Sequence, residues 1–217
     1  MKKNKIGLIF FAIILLIGFC IWTVLVQKID LQPIGPENSV VGFATMNSAF
    51  HKLTGVHLGL YHATDWLEIL PFAICGLFGI VGLVQWIQRK NMWKVDADIL
   101  LLGASYIIVI AAFFLFEKLT INFRPILIEG VLEASYPSST TMLTISVLPT
   151  AMMQAKRRIP SRPLLVVTYV FGVLLTVYML VGRMLSGVHW LSDIIGAALF
   201  GGGMVLLYAA VIPEKKA

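Results

Sequence analysis

The sequence predicts an all-α membrane protein: a six-transmembrane-helix bundle with a short interfacial helical segment between helices 1 and 2. Three observations predict it. Of 217 residues, 59% are hydrophobic and only 13% charged, against roughly 45–50% and about 25% in a water-soluble chain; mean hydropathy is +0.89. Six stretches meet or approach the about 20 apolar residues that a helix needs to cross hydrocarbon. The cations, finally, are sorted between alternate loops. These sums exclude a soluble domain, and the sorting excludes a nucleic-acid binder despite the net charge of +6. The only cysteines, Cys20 and Cys75, lie inside apolar runs and read as small hydrophobes, which excludes a disulfide scaffold.

The six spans are expected at 6–26, 66–87, 99–116, 141–155, 164–182 and 190–212. The first follows Lys2, Lys3 and Lys5 but is longer than a signal-peptide core of about 7–15 residues and has no small-residue cleavage site after it. A retained helix is expected. The fourth is short and carries Thr144, Ser146, Pro149 and Gln154. A polar, proline-bearing helix survives in a membrane only when neighbouring helices cover it, so it belongs at the centre of the bundle. Between the first and second spans, residues 27–65 mix Pro33, Gly35 and Pro36 with a semi-apolar run at 40–61. That run reads as one or two interfacial helices. Its histidines, His51, His57 and His62, are spaced six and five apart, which puts no pair on one helical face and argues against a metal site. No repeat or linker divides the chain, so one integral-membrane domain over 1–217 is expected.

Orientation follows from the basic residues. With the N-terminus inside, the inner segments hold twelve of the seventeen: Lys2, Lys3, Lys5, Arg89, Lys90, Lys94, Lys156, Arg157, Arg158, Arg162, Lys215 and Lys216. The expectation is a multi-pass protein of the cell membrane with both termini cytoplasmic. Five cations remain outside: Lys28, Lys52, Lys118, Arg124 and Arg183.

Three of those five sit at or between span ends. Lys118 follows the third span, Arg124 stands beside Pro125, and Arg183 closes the fifth. They could be snorkelling anchors, or a cluster for phosphate, since guanidinium forks match phosphoryl oxygens and lysine adds a point charge. Pro137-Ser138-Ser139-Thr140 precedes the fourth span; it is an ordinary helix start, and also a possible anion cradle of free N–H groups. His189 and Asp193 are four residues apart at the head of the sixth span, which on a helix gives them one face. A carboxylate inside a span costs on the order of 2.5–3.5 kcal/mol and marks function or pairing. Behind an imidazole it fixes the tautomer and stabilises the imidazolium, leaving the other nitrogen to act near Arg183.

Lys118…Arg124-Pro125, Pro137-Ser138-Ser139-Thr140 and Arg183…His189…Asp193 together resemble the three-part signature of the type 2 phosphatidic acid phosphatase superfamily of integral-membrane lipid phosphatases. The resemblance runs over about 66–212, and its last part is the most specific. It implies that Lys118, Arg124 and Arg183 clamp the phosphoryl group, with Ser138 and the amides of Ser139 and Thr140 on its oxygens. His189 would be the nucleophile that forms a phosphohistidine, activated by Asp193. It implies no metal or other cofactor, and a substrate drawn from the outer leaflet to a site on the outer face.

Three departures stand out. Five residues rather than six separate Lys118 from Arg124, and Gly182 replaces the usual Ser before Arg183. Above all, Ser139-Thr140 stands where the family has Gly-His, and that histidine is the family's general acid. An acid of this kind is worth about 10²–10⁴-fold. An alkoxide needs its proton badly, whereas a departing phosphate monoester, with a second pKa of about 6, leaves nearly unaided. The expected activity is therefore a membrane lipid phosphatase that takes a lipid phosphate or, in preference, a polyprenyl or other lipid diphosphate such as undecaprenyl diphosphate. His57, His62, Glu129 and Glu133 are candidates for a replacement acid. The alternatives are a protein that binds lipid phosphates without turnover, or a phosphotransferase of the same type.

Overall fold

The computed structural model describes residues 2–214, with side chains from Lys5 onward. The cations Lys215 and Lys216, and the side chains of Lys2 and Lys3, lie outside the described residues. Among the described residues eight α-helices follow in order: α1 (Lys2–Val26), α2 (Ala44–Thr54), α3 (Leu58–Leu67), α4 (Ile69–Arg89), α5 (Ala97–Lys118), α6 (Ser139–Arg158), α7 (Arg162–Leu185) and α8 (Leu191–Val211). Among the described residues the only β pairing is three isolated bridges in loops. Five helical segments of the described residues are long and apolar enough to cross a membrane: Lys5–Val26, Leu58–Arg89, Ala97–Lys118, Arg162–Leu185 and Leu191–Val211. The molecule is an all-α membrane bundle.

The sixth long helix, α6, is the polar one, and it sits in the middle. It packs against α4, α5, α7 and α8. Thr141, Thr144, Ser146, Thr150 and Gln154 are all buried on it. Two of its hydroxyls return to their own helix, Ser146 Oγ to the Met142 carbonyl at 2.7 Å and Thr150 Oγ1 to that of Ser146 at 2.8 Å. That satisfies polar groups within a helix interrupted by Pro149. At one end Gln154 bonds Tyr208, while Asp98 takes Arg157 and Arg158 at 2.9 Å each. This ionic knot closes the pole at which α1 begins and α8 ends, where Lys5 Nζ donates to the Ile212 carbonyl at 3.0 Å.

α1 and α8 make the broadest pairing in the bundle, and glycines on α8 let its neighbours approach. A Cβ on Gly203 would stand 2.8 Å from the Leu16 side chain, and one on Gly196 would stand 2.7 Å from the Tyr136 ring. Without a hydrophobic drive between helices in lipid, such close van der Waals approach is what holds them.

The second span differs from the sequence expectation. Its helical path starts at Leu58 rather than at 66 and breaks only at Glu68, between α3 and α4. The reason is packing: α3 lies along α7, with Thr64 fully buried and back-bonded to Leu60 and Tyr61. Where the sequence predicts one or two interfacial helices between the first two spans, α2 covers the head of α8 and α3 belongs to the bundle wall.

Candidate active site

At the pole opposite the ionic knot, four pieces of chain meet: the α5–α6 loop, the start of α6, the end of α7 and the turn before α8. The α5–α6 loop folds back on itself through the Phe123–Ala134 bridge, with Arg124 N donating to the Glu133 carbonyl at 3.0 Å. Trp190 Nε1 pins the loop by donating to the Phe123 carbonyl at 2.7 Å. Tyr136 fills the notch at Gly196, and its hydroxyl meets Thr23 Oγ1 at 2.8 Å. Beneath the turn before α8, Asn47 of α2 donates to Ser192 Oγ at 2.9 Å and accepts from Ser192 N at 3.0 Å. Gly187, at φ +70°, presses against the Gly55 carbonyl with no room for a side chain. His51 and His57 fasten this turn from outside, His51 Nε2 on the Gly187 carbonyl and His57 N on that of Ser186.

His189 lies in this turn, not on a helix, and is 4% exposed. The four-residue spacing to Asp193 therefore does not place the pair on one helical face. Asp193 is instead the third residue of α8, and its Oδ2 accepts from Trp190 N at 2.9 Å as part of a capping box. His189 Nδ1 is 3.7 Å from Asp193 Oδ2 but 3.2 Å from the Ser135 carbonyl. A carbonyl only accepts, so Nδ1 carries the hydrogen and Nε2 keeps its lone pair. That lone pair faces Arg124 Nη1 at 3.5 Å. Burial first, then Arg124 and Arg183, hold the imidazole well below the ordinary histidine value, against a smaller upward pull from the Ser135 carbonyl. That shift favours the neutral ring.

Arg183 is 1% exposed. Its Nη2 donates to Thr140 Oγ1 at 2.6 Å and to Asp65 Oδ1 at 2.7 Å. Its Nε and Nη1 are buried without a partner. Two unsatisfied guanidinium donors are costly unless something arrives to accept from them. Tyr61 lies under both arginines, its ring centroid 4.9 Å from the Arg183 guanidinium and 5.7 Å from that of Arg124. Arg124 Nε also pairs with Glu133 Oε2 at 2.9 Å. A cavity of about 490 Å³ opens here, lined among others by Phe116, Glu117, Arg124, Glu133, Ser139 and His189.

Ser138 is buried at the head of α6, its hydroxyl 2.9 Å from Thr141 Oγ1. Ser139 lines the cavity, and Thr140 bridges Arg183 and Glu68. Lys118 is exposed at the end of α5 and is not among the cavity-lining residues. Of the replacement acids suggested by sequence, only Glu133 lines the cavity; His57, His62 and Glu129 are exposed. Gly182 has a packing reason, because a Cβ there would stand 2.7 Å from Thr64 Cγ2. Sequence reading did not find Ser135, Tyr61 or Asp65. Among the described residues no group of His, Cys, Asp and Glu suits a metal.

A PAP2 superfamily model matches residues 100–217, more than half of the chain, and the protein belongs to that superfamily. A crystal structure described as the first transmembrane PAP2-type phosphatidylglycerolphosphate phosphatase, from Bacillus subtilis, is similar with a TM-score of 0.48 at 18% identity, over 92% of this chain and 93% of that one. No curated protein matches in sequence.

Proposed function

We propose that the protein is a membrane lipid phosphatase that works through a phosphohistidine on His189. One observation carries this reading: an imidazole whose Nδ1 is tied to a carbonyl and whose Nε2 faces Arg124. A lone pair so oriented, beside cations that bind a phosphoryl group, is the arrangement of an activated nucleophile. Arg124 and the two free donors of Arg183 stabilise the charge that spreads over the equatorial oxygens as phosphorus transfers. Ser139 and Thr140, in the first turn of α6, present amides to the same oxygens. Asp193 steadies the positive ring once Nε2 is phosphorylated. Lys118 is assigned an outer role, drawing anionic headgroups toward the site from the end of α5.

In the reaction, Nε2 attacks phosphorus and the P–O bond to the leaving group breaks. Water then cleaves the N–P bond and releases phosphate. Thr140 is no acid at neutral pH, which favours a leaving group that departs as an anion, so lipid diphosphates, polyprenyl ones included, are the preferred substrates. The described basic residues Arg89, Lys90, Lys94, Lys156, Arg157, Arg158 and Arg162 cluster at helix ends opposite the site, which supports cytoplasmic termini and an outward-facing cavity.

The test is turnover of a lipid diphosphate in detergent by wild type and His189→Ala, with trapping of the phosphoenzyme. Label on His189 and its loss in the variant are expected. Turnover surviving in His189→Ala would refute the reading.

A further inference from the structure

The hydroxyl of Thr140 lies between two groups. It accepts from Arg183 Nη2 at 2.6 Å and donates to Glu68 Oε2 at 2.9 Å. The other oxygen of that carboxyl, Oε1, is buried and has no hydrogen-bond partner. Glu68 stands at the break between α3 and α4 with its side chain 15% exposed. Arg183 is thus shared by two carboxyls, Asp65 at 2.7 Å and Glu68 Oε2 at 3.8 Å. Glu117 of α5 adds a third negative charge to the field at Glu68.

A phosphoryl group accepting from Nε or Nη1 of Arg183 is held on the same guanidinium that donates to Thr140. It brings more negative charge among Asp65, Glu68 and Glu117. A proton taken up with it is best held on Glu68, whose buried Oε1 otherwise has no protein donor. A hydroxyl accepts two hydrogen bonds and donates one. Thr140 can therefore accept from Arg183 and from a protonated Glu68 while donating to the leaving oxygen.

We propose that Glu68 stores the proton for the leaving oxygen and that Thr140 relays it. The site then cleaves lipid phosphate monoesters when Glu68 is protonated, and is restricted to diphosphates when it is not. This rests on the phosphohistidine reading of His189. In the first step the Nε2 lone pair forms the N–P bond and the ester P–O pair goes to the leaving oxygen. That oxygen takes the Thr140 hydroxyl proton, Thr140 takes the proton of Glu68, and Glu68 is left as a carboxylate. In the second step water gives up a proton along the same path in reverse as it displaces the histidine.

Glu68 acts through another residue, so its test reads pH and substrate choice rather than rate alone. Initial rates on a lipid phosphate monoester and a lipid diphosphate are measured across the pH range for wild type, Glu68→Gln, Thr140→Val and Thr140→Ser. The monoester-to-diphosphate ratio should fall with rising pH in wild type and Thr140→Ser. It should be flat with pH in Glu68→Gln and Thr140→Val, and lower at acid pH by about 10²-fold, the smaller value for a general acid. A ratio that keeps its pH dependence in Glu68→Gln overturns the proposal, as does an equal loss on both substrates. If Glu68→Gln does not fold, Thr140→Val against Thr140→Ser decides by the same ratio. Failure of the underlying reading registers elsewhere, as turnover that survives His189→Ala.

Discussion

His189 Nδ1 donates to the main-chain carbonyl of Ser135 at 3.2 Å. The tautomer that frees Nε2 is thus held by a peptide group on the α5–α6 loop, with the Asp193 carboxylate farther away at 3.7 Å. In a serine-protease triad, replacing the carboxylate costs about 10⁴ in kcat because the tautomer changes. Asp193→Asn should cost less here, about 10²-fold, the size of one lost electrostatic contact. Its amide oxygen can still accept from Trp190 N and keep the head of α8 capped. Steady-state kcat on a lipid diphosphate measures this, and a loss near the triad value would show that Ser135 does not hold the ring.

The buried position of His189 beside Arg124 and Arg183 also sets a pH dependence. The nucleophile works unprotonated, and these neighbours hold its value well below the ordinary 6.5. Diphosphate turnover should therefore persist as pH falls through 6.5 and fail only further down. The sign for stability is the reverse of a gain: below 6.5 the unfolded chain binds a proton at this histidine that the folded chain refuses, so folding weakens with acid. Rate–pH profiles in detergent check the first, and thermal unfolding of wild type against His189→Asn checks the second. An acid limb centred above 6.5 contradicts both.

Much of this was legible in one dimension. The five apolar runs and the polar fourth span are statements about hydropathy, and the bundle has no other way to cover Thr144, Ser146 and Gln154 than to enclose α6. Arg124, Arg183 and His189 were legible as a motif, and they do converge. The His–Asp spacing was seen, but its geometry was misread, because a capping turn and a helix face both bring residues four apart together. Ser135 acts through its carbonyl, which every residue has, so no side-chain pattern marks it. Asp65 and Arg183 are 118 positions apart, and their pairing depends on α3 folding along α7. Glu68 did leave a signal, a carboxyl at the head of an apolar run.

The fork of Arg183 makes a sharp prediction for Arg183→Lys. One nitrogen, Nη2, holds Thr140 and Asp65, and two others stay free for the phosphoryl oxygens. Lysine keeps the charge but has one nitrogen and no rigid fork. It can hold the protein contacts or the substrate, not both in the same geometry. A hydrogen bond to a charged group is worth about 1.5–3 kcal/mol, so kcat/KM should drop by about 10²-fold. The effect should be as large for diphosphates as for monoesters, since both place a phosphoryl group there.

Gly196 ties bundle packing to the site. A Cβ there would meet the Tyr136 ring at 2.7–2.8 Å, and Tyr136 is 1% exposed and bonded to Thr23. The ring is buried and held at its hydroxyl, and Tyr136, Pro137 and Ser139 are themselves part of the cavity wall. Gly196→Ala should destabilise by about 1–3 kcal/mol through overpacking and reduce turnover by displacing the head of α6. Gly76→Ala is the control: it sits in the interior of α4 with nothing within 4 Å of the new Cβ, and alanine is the better helix former by about 1 kcal/mol. Thermal unfolding in one detergent should separate the two in opposite directions. Equal midpoints for both variants would mean that the Tyr136 contact does not bear on the fold.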